Sequence, residues 1–476
     1  MVTKGGPLTY DEALQTLVDI VLDAVDDKFE TILVARDLRG RLRLSVKATA
    51  TAEAIAALSA NAAAVLESWF AGPVLWDKAE DPAERLAARG ILTLPASELW
   101  PLEWPQKQRM SIVGGASERS VDERWKALRP SMAKGSWLHA QVRVERGERG
   151  ERGSRPTCPP VVSFHSFKGG VGRTTSATLL AYLAAQEGKN VVLVDLDLEA
   201  PGLHRVLDVA ADSPGVLDYV LEWQATEKIR KCDPQIVKFS ALWKESDSSG
   251  EVEGSSLDAG RAEKGRLWCL HAGADSPTYL ERLGHLDFAT PLGGERQRVS
   301  VALVQLLQRL NAVQEHDRSH RIDYIFLDAR AGLHDLGGIA LRDLADVHVL
   351  VTRANGQGED GLRRQLNLLS TRKAVTQPTT LVLQTFSPAD PDERRAADER
   401  FRARTYDAFE RAQWYREDDV PELDDPAAPH FPESIPVFAG ISSLERLDDL
   451  LAIAGVAHAY VPVWKRLKDL LDAEKA

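Results

Sequence analysis

Residues 164–175 read FHSFKGGVGRTT, and this glycine-rich stretch constrains the fold more than any other part of the chain. The apolar run VVSFHS leads into it, and the helical pattern TSATLLAYLAAQEG follows it. Glycines allow positive φ and a close approach of backbone N–H groups to an anion, and a helix start adds the positive end of a dipole. The segment therefore predicts a strand, a phosphate-binding loop and a helix.

The loop departs from the standard pattern G-x-x-x-x-G-K-[ST] at two positions. Phe167 stands where the first glycine is expected, and Arg173 stands where the lysine is expected. Arginine keeps a positive charge beside phosphates but presents it as a planar fork. Thr174 offers a hydroxyl to Mg²⁺. We expect the loop to bind a nucleotide, with a hydrolysis rate that depends on Arg173.

Two more apolar runs end in carboxylates. VVLVDLDLEAPGL carries Asp195 and Asp197, and IDYIFLDARAGLHD carries Asp328, followed by Gly332. The carboxyl ends of parallel strands form the edge at which open α/β sheets bind ligands, and alternate strand residues share a face. Carboxylates there suit Mg²⁺ ligation through water and orientation of an attacking water. We interpret Asp328 as a Walker B aspartate and the residues after it as a switch loop.

From residue 161 onward, β-branched runs alternate with helical stretches, whereas the first part of the chain mixes a helix, a strand pair and an Ala-rich helix. This pattern predicts an α/β fold with a mostly parallel doubly wound sheet, plus a smaller α+β N-terminal domain, and the phosphate-binding loop with its carboxylates makes the sheet that of a P-loop NTPase. The predicted boundaries are an N-terminal domain of unknown role at 1–143, a linker at 144–160 and the ATPase domain at 161–476, with insertions near 244–264 and 388–430.

Composition excludes several classes of protein. The formal net charge of -12 argues against a surface built for nucleic acid, and three scattered cysteines argue against a disulfide framework or a zinc site. The start MVTKGGPLTYDEAL lacks an apolar signal core, and no apolar run is long enough to cross a membrane. We therefore predict a cytoplasmic protein.

KGGVGRTT, VDLDLEAPGL and YIFLDARAG, in this order, resemble the deviant Walker A ATPases of the ParA/MinD family, which belong to the SIMIBI class of P-loop NTPases. The resemblance is to the variant subgroup that carries KGGVGR in place of KGGVGK. It covers residues 160–470, and the N-terminal residues lie outside it.

The resemblance implies ATP and Mg²⁺ as cofactors and assigns roles to single residues. Lys168 matches the signature lysine, which reaches the phosphates held by the other subunit of a dimer, and Asp197 orients the hydrolytic water. The implied metal ligands are Thr174, Asp195 and Asp328. The remaining nucleotide-binding residues are Gly169, Gly170, Val171, Gly172, Arg173, Thr174 and Thr175 at the phosphates and Gln384, Pro436 and Val437 at the base.

The function implied is an ATP-binding and ATP-hydrolysing switch that dimerises with ATP and signals to or positions a partner, in a bacterial regulatory or defence system. One alternative is a nucleotide-binding scaffold without turnover. Another is a tyrosine-kinase-like protein, although the C-terminus offers only Tyr460 in place of a tyrosine cluster. Delivery of a metal cluster or cobalt cofactor would need a C-x-x-C motif or an amidase domain, and neither is visible.

The expected partners are a second copy of the chain with ATP and an unknown protein bound by the N-terminal domain. Lys168 is expected to have no partner within its own chain. DNA could contact Arg363, Arg364, Arg372 and Lys373, but a solvated helix face is favoured. The end helix PVWKRLKDLLDAEKA could touch a membrane, but a closing helix packed on the sheet is favoured.

Overall fold

The computed structural model describes residues 10–24, 29–36, 41–82, 85, 100–101, 125–127, 158–229, 232–237, 265–286, 288, 298–315, 318–370, 379–415, 419–441 and 446–475. The chain divides into two compact units, Met1–Met132 with Ala289–Arg296 and Ala133–Phe288 with Gln297–Ala476. The predicted insertion at 244–264 and most of the predicted linker lie outside the described residues, as do Arg372 and Lys373.

The first unit is a small α+β arrangement. Its elements in chain order are α1 (Tyr10–Ala24), β1 (Phe29–Arg36), β2 (Leu42–Ala48), α2 (Ala52–Leu66), β3 (Leu75–Asp77), β4 (Trp100–Pro101) and β5 (Trp125–Ala127). The strands form one sheet in the order β3-β2-β1-β5-β4. Side chains from both helices and from β1 and β2, including Leu17, Ile32, Leu44 and Leu58, make its core. The helix, strand pair and Ala-rich helix are thus present as the sequence predicts.

The second unit alternates strands and helices. Its strands are β6 (Val161–His165), β7 (Val191–Leu196), β8 (Gln235–Ile236), β9 (Leu267–Leu270), β10 (Ala312–Glu315), β11 (Arg318–Arg321), β12 (Tyr324–Ala329), β13 (Val347–Arg353), β14 (Thr379–Ser387) and β15 (Glu433–Pro436). Its α-helices are α3 (Arg173–Gln186), α4 (Leu203–Val206), α5 (Val216–Thr226), α6 (Tyr279–Gly284), α7 (Arg298–Arg309), α8 (Asp335–Ile339), α9 (Gly356–Ser370), α10 (Pro391–Arg411), α11 (Leu447–Ala452), α12 (Val456–Ala459) and α13 (Val461–Lys475).

Eight strands of the second unit form one sheet in the order β15-β14-β13-β6-β12-β7-β9-β8. All neighbouring pairs in it are parallel except β8 with β9, so the predicted mostly parallel sheet is confirmed. β6 lies at the centre, and Asp328 of β12 is in register with Asp195 of β7. The phosphate loop and the carboxylates therefore share one sheet edge.

Successive residues of a strand point to opposite faces of the sheet, so a strand of apolar residues has an apolar surface on each face. Helices cover both of these faces. Tyr324 and Phe326 of β12 pack in one cluster with α3 and α13, whereas Ile325 and Leu327 pack in a second cluster with α5 and α7. A third cluster joins Leu350 of β13 to apolar residues of α9 and α10. A doubly wound sheet is the result.

The two charged C-terminal segments are part of the fold. α10 lies within the predicted insertion near 388–430, and Asp390 caps its N-terminus by accepting from two backbone N–H groups. α13 buries Val463, Trp464, Leu467 and Leu471 in the core beside α3. The closing-helix interpretation of the C-terminus is therefore correct, since its apolar side is already covered. Within the described residues, no helix is apolar over the length that a bilayer crossing requires.

Candidate functional site

The glycine-rich loop connects the central strand β6 to the first turn of α3. Gly170 has φ 71° and Gly172 has φ 82°, a left-handed conformation that side chains rarely adopt. A Cβ built at Gly169 or Gly170 would meet no atom within 4 Å, so the loop is open on its outer side. Because α3 begins at Arg173, its free N–H groups face this opening. The loop is thus a cradle shaped for an anion.

Arg173 joins two carboxylates across the sheet edge. Its Nε donates to Asp328 Oδ1 at 2.5 Å, and its Nη2 donates to Asp197 Oδ2 at 2.9 Å. The side chains are 10% exposed for Arg173, 2% for Asp328 and 13% for Asp197. The guanidinium fork thus presents a different nitrogen to each of the two acceptors. Asp197 and Asp328 raise the pKa of Arg173 further above its ordinary value, against the effect of burial.

Thr174 and Asp328 bring together two of the oxygen groups that a hard cation binds. Thr174 Oγ1 donates to Asp328 Oδ2 at 2.6 Å, so a hydroxyl from the first turn of α3 meets a carboxylate from the end of β12. Hydroxyl and carboxylate oxygens, with phosphate oxygens and water, are the ligands that Mg²⁺ prefers. Two of the three predicted metal ligands are therefore brought into contact.

Asp195, the third predicted ligand, lies behind them and is bonded to the backbone. It is 0% exposed. Its Oδ1 accepts from the N–H of Asp197 at 3.0 Å, and its Oδ2 accepts from the N–H groups of Gly202 and Leu203. Burial, with the nearby Asp328 charge, raises the pKa of Asp195 to about 7, while the N–H donors oppose the rise. Asp195 thus shapes the turn that carries Asp197.

A chain of alternating charges continues from Asp197 into the loop after β12. Arg330 Nη1 donates to Asp197 Oδ1 at 3.0 Å, and Arg330 Nη2 contacts Glu199 Oε2 at 2.8 Å. His334 Nε2 lies 2.8 Å from Glu199 Oε1, and His334 caps α8. Asp197 is therefore held by two guanidinium groups, one from each side.

His165, at the end of β6, connects the glycine-rich loop to the loop after β12. Its Nε2 is 3.0 Å from Gly332 O, and Gln365 Nε2 is 2.6 Å from its Nδ1. Since an amide Nε2 only donates, Nδ1 accepts and the proton lies on Nε2, which donates to Gly332. Gly332 N in turn donates to Ser166 O at 2.9 Å. Burial, with the positive Arg173 nearby, lowers the pKa of His165 from 6.5 to about 3, so the imidazole is neutral.

The neutral His165 predicts a measurable pH effect. Below pH 6.5 the unfolded chain gains a proton on His165 that the folded chain does not gain. The contribution of His165 to the stability of the fold therefore falls as the pH falls toward 3. The stability advantage of wild type over His165→Leu should therefore shrink by up to about 1.4 kcal/mol per pH unit. Urea unfolding of the second unit at pH 7, 6 and 5 measures the difference in stability between wild type and His165→Leu. His458→Leu, at an exposed position, is the control. A constant difference would contradict the neutral assignment.

Lys168 is exposed, and it has a partner in its own chain. Its Nζ donates to Gln357 Oε1 at 2.8 Å, near the start of α9. The expectation that Lys168 lacks such a partner is wrong, because α9 begins directly after β13 and passes beside the loop. Gln357 is neutral, so the positive charge of Lys168 is not cancelled by this contact.

Residues of β13 and β14 also contact the glycine-rich loop. Arg353 Nη2 donates to Gly170 O at 2.6 Å, and the Arg353 guanidinium lies 3.5 Å from the ring centroid of Phe386. Thr385 Oγ1 donates to Val171 O at 2.7 Å. These contacts hold carbonyl groups of the loop inward, so its N–H groups remain directed outward. A cavity of about 50 Å³ lies between the loop and the end of β13. It is lined by residues 167–171 and by Val351, Thr352, Arg353, Asn355 and Gly358.

The residues predicted at the base are less clearly placed. Gln384 is 1% exposed, and its Oε1 accepts from Ser434 Oγ at 3.1 Å. Its Nε2 has no hydrogen-bond partner among the described residues, so neither of its two N–H donors is used there. Pro436 ends β15, and Val437 is 43% exposed. The three base contacts stay predictions, as does the role of Thr175 in the first turn of α3.

Several residues that build this site were not predicted from the sequence. Arg330 had a signal in the sequence, because it stands two positions after Asp328, at the sheet edge where the carboxylates were expected to gather. His165 and Phe386 adjoin predicted elements but have no pattern of their own. Other supporting residues come from distant parts of the chain, namely Gln357, Gln365, Arg353 and Thr385.

Many solved structures match the chain at low sequence identity. A putative plasmid partition protein from Borrelia burgdorferi, bound to AMPPNP, is 12% identical with a TM-score of 0.39, and the match covers 67% of this chain and 99% of that chain. The cell division ATPase MinD of Pyrococcus furiosus is 17% identical with a TM-score of 0.38, covering 65% and 99%. A variant of McdA from Cyanothece, in complex with ATP, is 14% identical with a TM-score of 0.38, covering 65% and 96%.

No curated protein sequence matches the chain. The model of one protein family, CbiA, described as the CobQ/CobB/MinD/ParA nucleotide binding domain, matches residues 162–447, which is more than half of the chain. The matched range contains the glycine-rich loop, the three carboxylates and the switch loop. The chain therefore belongs to the CobQ/CobB/MinD/ParA family of nucleotide-binding domains and has the P-loop fold of that family.

Proposed function

We propose that the second unit binds ATP with Mg²⁺ and acts as a switch whose state is read by a partner. The observation that carries this proposal is the open cradle at Gly169 and Gly170, with Arg173, Thr174 and Asp328 gathered at one end of it. Backbone donors and a cation at one end of a helix are what a polyphosphate requires. A hydroxyl beside a carboxylate is what its Mg²⁺ requires.

The residues present fit a magnesium–nucleotide. Thr174 and Asp328 would hold the metal, with Asp195 acting through water. Mg²⁺, when bound, neutralises charge on the phosphate oxygens. Asp328 has both oxygens engaged, by Arg173 and by Thr174, so binding requires Arg173 to exchange a carboxylate for phosphate. Arg330 remains on Asp197 in that exchange and holds this carboxylate in place to orient water.

Calorimetry of the purified protein with ATP and with ADP, at millimolar Mg²⁺, tests the binding step. We expect a Kd on the order of micromolar, since the loop N–H groups, Arg173 and Thr174 all contact phosphate. Gly170→Val is the matched control: its φ of 71° strains a β-branched residue, and the added side chain would project into the cradle. The absence of heat with wild-type protein would rule out the proposed function.

We further propose that two ATP-bound copies pair through the faces that carry Lys168, and that hydrolysis separates them. Support comes from the exposed charge of Lys168 at the rim of the cradle, which one neutral amide contacts and does not cancel. The first unit, which lies outside the family match, is proposed to bind a partner protein.

A scaffold that binds nucleotide without turnover is the second candidate, and one observation favours it. Arg173 occupies both Asp197 and Asp328, the two carboxylates that hydrolysis would use. If this arrangement persists with nucleotide bound, no carboxylate is available to orient water. Phosphate release from ATP by the wild-type protein separates the two candidates: steady turnover supports the switch, and none supports the scaffold.

A further inference from the structure

Helix α9 is fixed to the residues just before the glycines by two contacts of its buried residues Gly361 and Gln365. Gln365 is 1% exposed and donates to His165, which is 0% exposed. A Cβ built at Gly361 would lie 2.5 Å from Cβ of Phe167, so only glycine allows the helix to approach so closely. Phe167 is the residue that replaces the first glycine of the standard loop. Its ring therefore packs on the helix backbone.

A third contact lies on the same face of α9. Gln357, Gly361 and Gln365 are four residues apart in turn, so they share one face of α9. Gln357 meets Lys168, the next loop residue after Phe167. Unlike the two buried contacts, this one joins two exposed side chains, and its acceptor is a neutral amide. The inner contacts therefore fix the helix, and the outer contact is the one that is easily broken.

We propose that Gln357 is a positioning residue that retains Lys168 against its own chain and so sets how readily two ATP-bound copies pair. This rests on the proposed pairing, because Lys168 can reach a second copy only after leaving Gln357. A neutral acceptor such as the Gln357 amide holds the Lys168 ammonium group but binds it weakly enough to let it leave. A carboxylate would form a charge-assisted bond and hold the ammonium group more firmly, whereas an alanine would release it.

Retention is measured first on the protein alone, without nucleotide. Reductive methylation followed by peptide mass spectrometry gives the labelling rate of Lys168. We expect about threefold faster labelling in Gln357→Ala and about threefold slower labelling in Gln357→Glu, relative to wild type. Asn367→Ala and Asn367→Asp make the same changes at an exposed position of α9 outside the face shared by Gln357, Gly361 and Gln365, and Lys168 in these variants should be labelled as fast as in wild type.

Pairing is measured next, by analytical ultracentrifugation of the same proteins with AMPPNP and Mg²⁺. Gln357→Glu should raise the dimer Kd about tenfold and Gln357→Ala should lower it about threefold, while nucleotide affinity stays within about twofold. A merely structural role would move both variants in one direction. Unchanged Lys168 labelling, or a shift of both dimer Kd values in the same direction, would overturn the inference. Opposite labelling shifts in a protein that never pairs would support retention by Gln357 and refute the proposed pairing.

Discussion

Replacing Arg173 with alanine is expected to destabilise the second unit by about 3–5 kcal/mol and to remove most of its nucleotide affinity. Arg173 is the cation that faces Asp328, whose side chain is 2% exposed. Its loss leaves a buried carboxylate with only the Thr174 hydroxyl as a side-chain hydrogen-bond donor among the described residues. Urea unfolding without nucleotide measures the stability, and calorimetry measures the affinity.

Arg330→Ala is the matched control for this experiment. Arg330 also pairs with Asp197, but its side chain is 25% exposed and solvent screens the pair. We therefore expect a loss of about 1 kcal/mol or less. Arg173→Lys keeps the charge but cannot span both carboxylates, so its stability should lie between wild type and alanine. An Arg173→Ala protein as stable as Arg330→Ala would show that the buried ion pairs do not stabilise the fold.

Lys168→Ala is expected to abolish ATP-dependent pairing and to leave nucleotide affinity within about tenfold of wild type. The physical reason is that Lys168 is exposed and bonded only to a neutral amide in its own chain among the described contacts, so its charge is available to a second copy. Asp197→Asn should have the opposite effect. It retains the shape of the carboxylate but loses the charge that orients water, so the paired form should persist with ATP.

Light scattering of the three proteins, with and without ATP, measures this prediction. Asparagine is preferred to alanine because Asp197 accepts from both Arg173 and Arg330: the amide oxygen of asparagine still accepts from one guanidinium group, whereas alanine would leave both without this acceptor. Pairing of Lys168→Ala to the same extent as wild type would argue for the scaffold without turnover.

The parts of the site that follow from local sequence were predictable before the structure. A strand, a glycine-rich turn and a helix are determined by neighbouring residues, and β6, the loop and α3 form as expected. The carboxylates Asp195 and Asp328 each end an apolar strand, and parallel pairing places them in register. Fold class follows for the same reason, since alternating strands and helices leave few ways to bury their apolar faces.

The partners of these residues were decided only by the tertiary structure. Arg173 lies beside Asp197 and Asp328, Lys168 beside Gln357, and His165 beside Gln365, and each pair joins separate segments of the chain. The sequence alone determined which charges and glycines stand at the sheet edge. Whether Lys168 meets Gln357 and His165 meets Gln365 depends on how closely α9 approaches the loop at Gly361, because a side-chain contact needs both ends placed within about 3 Å.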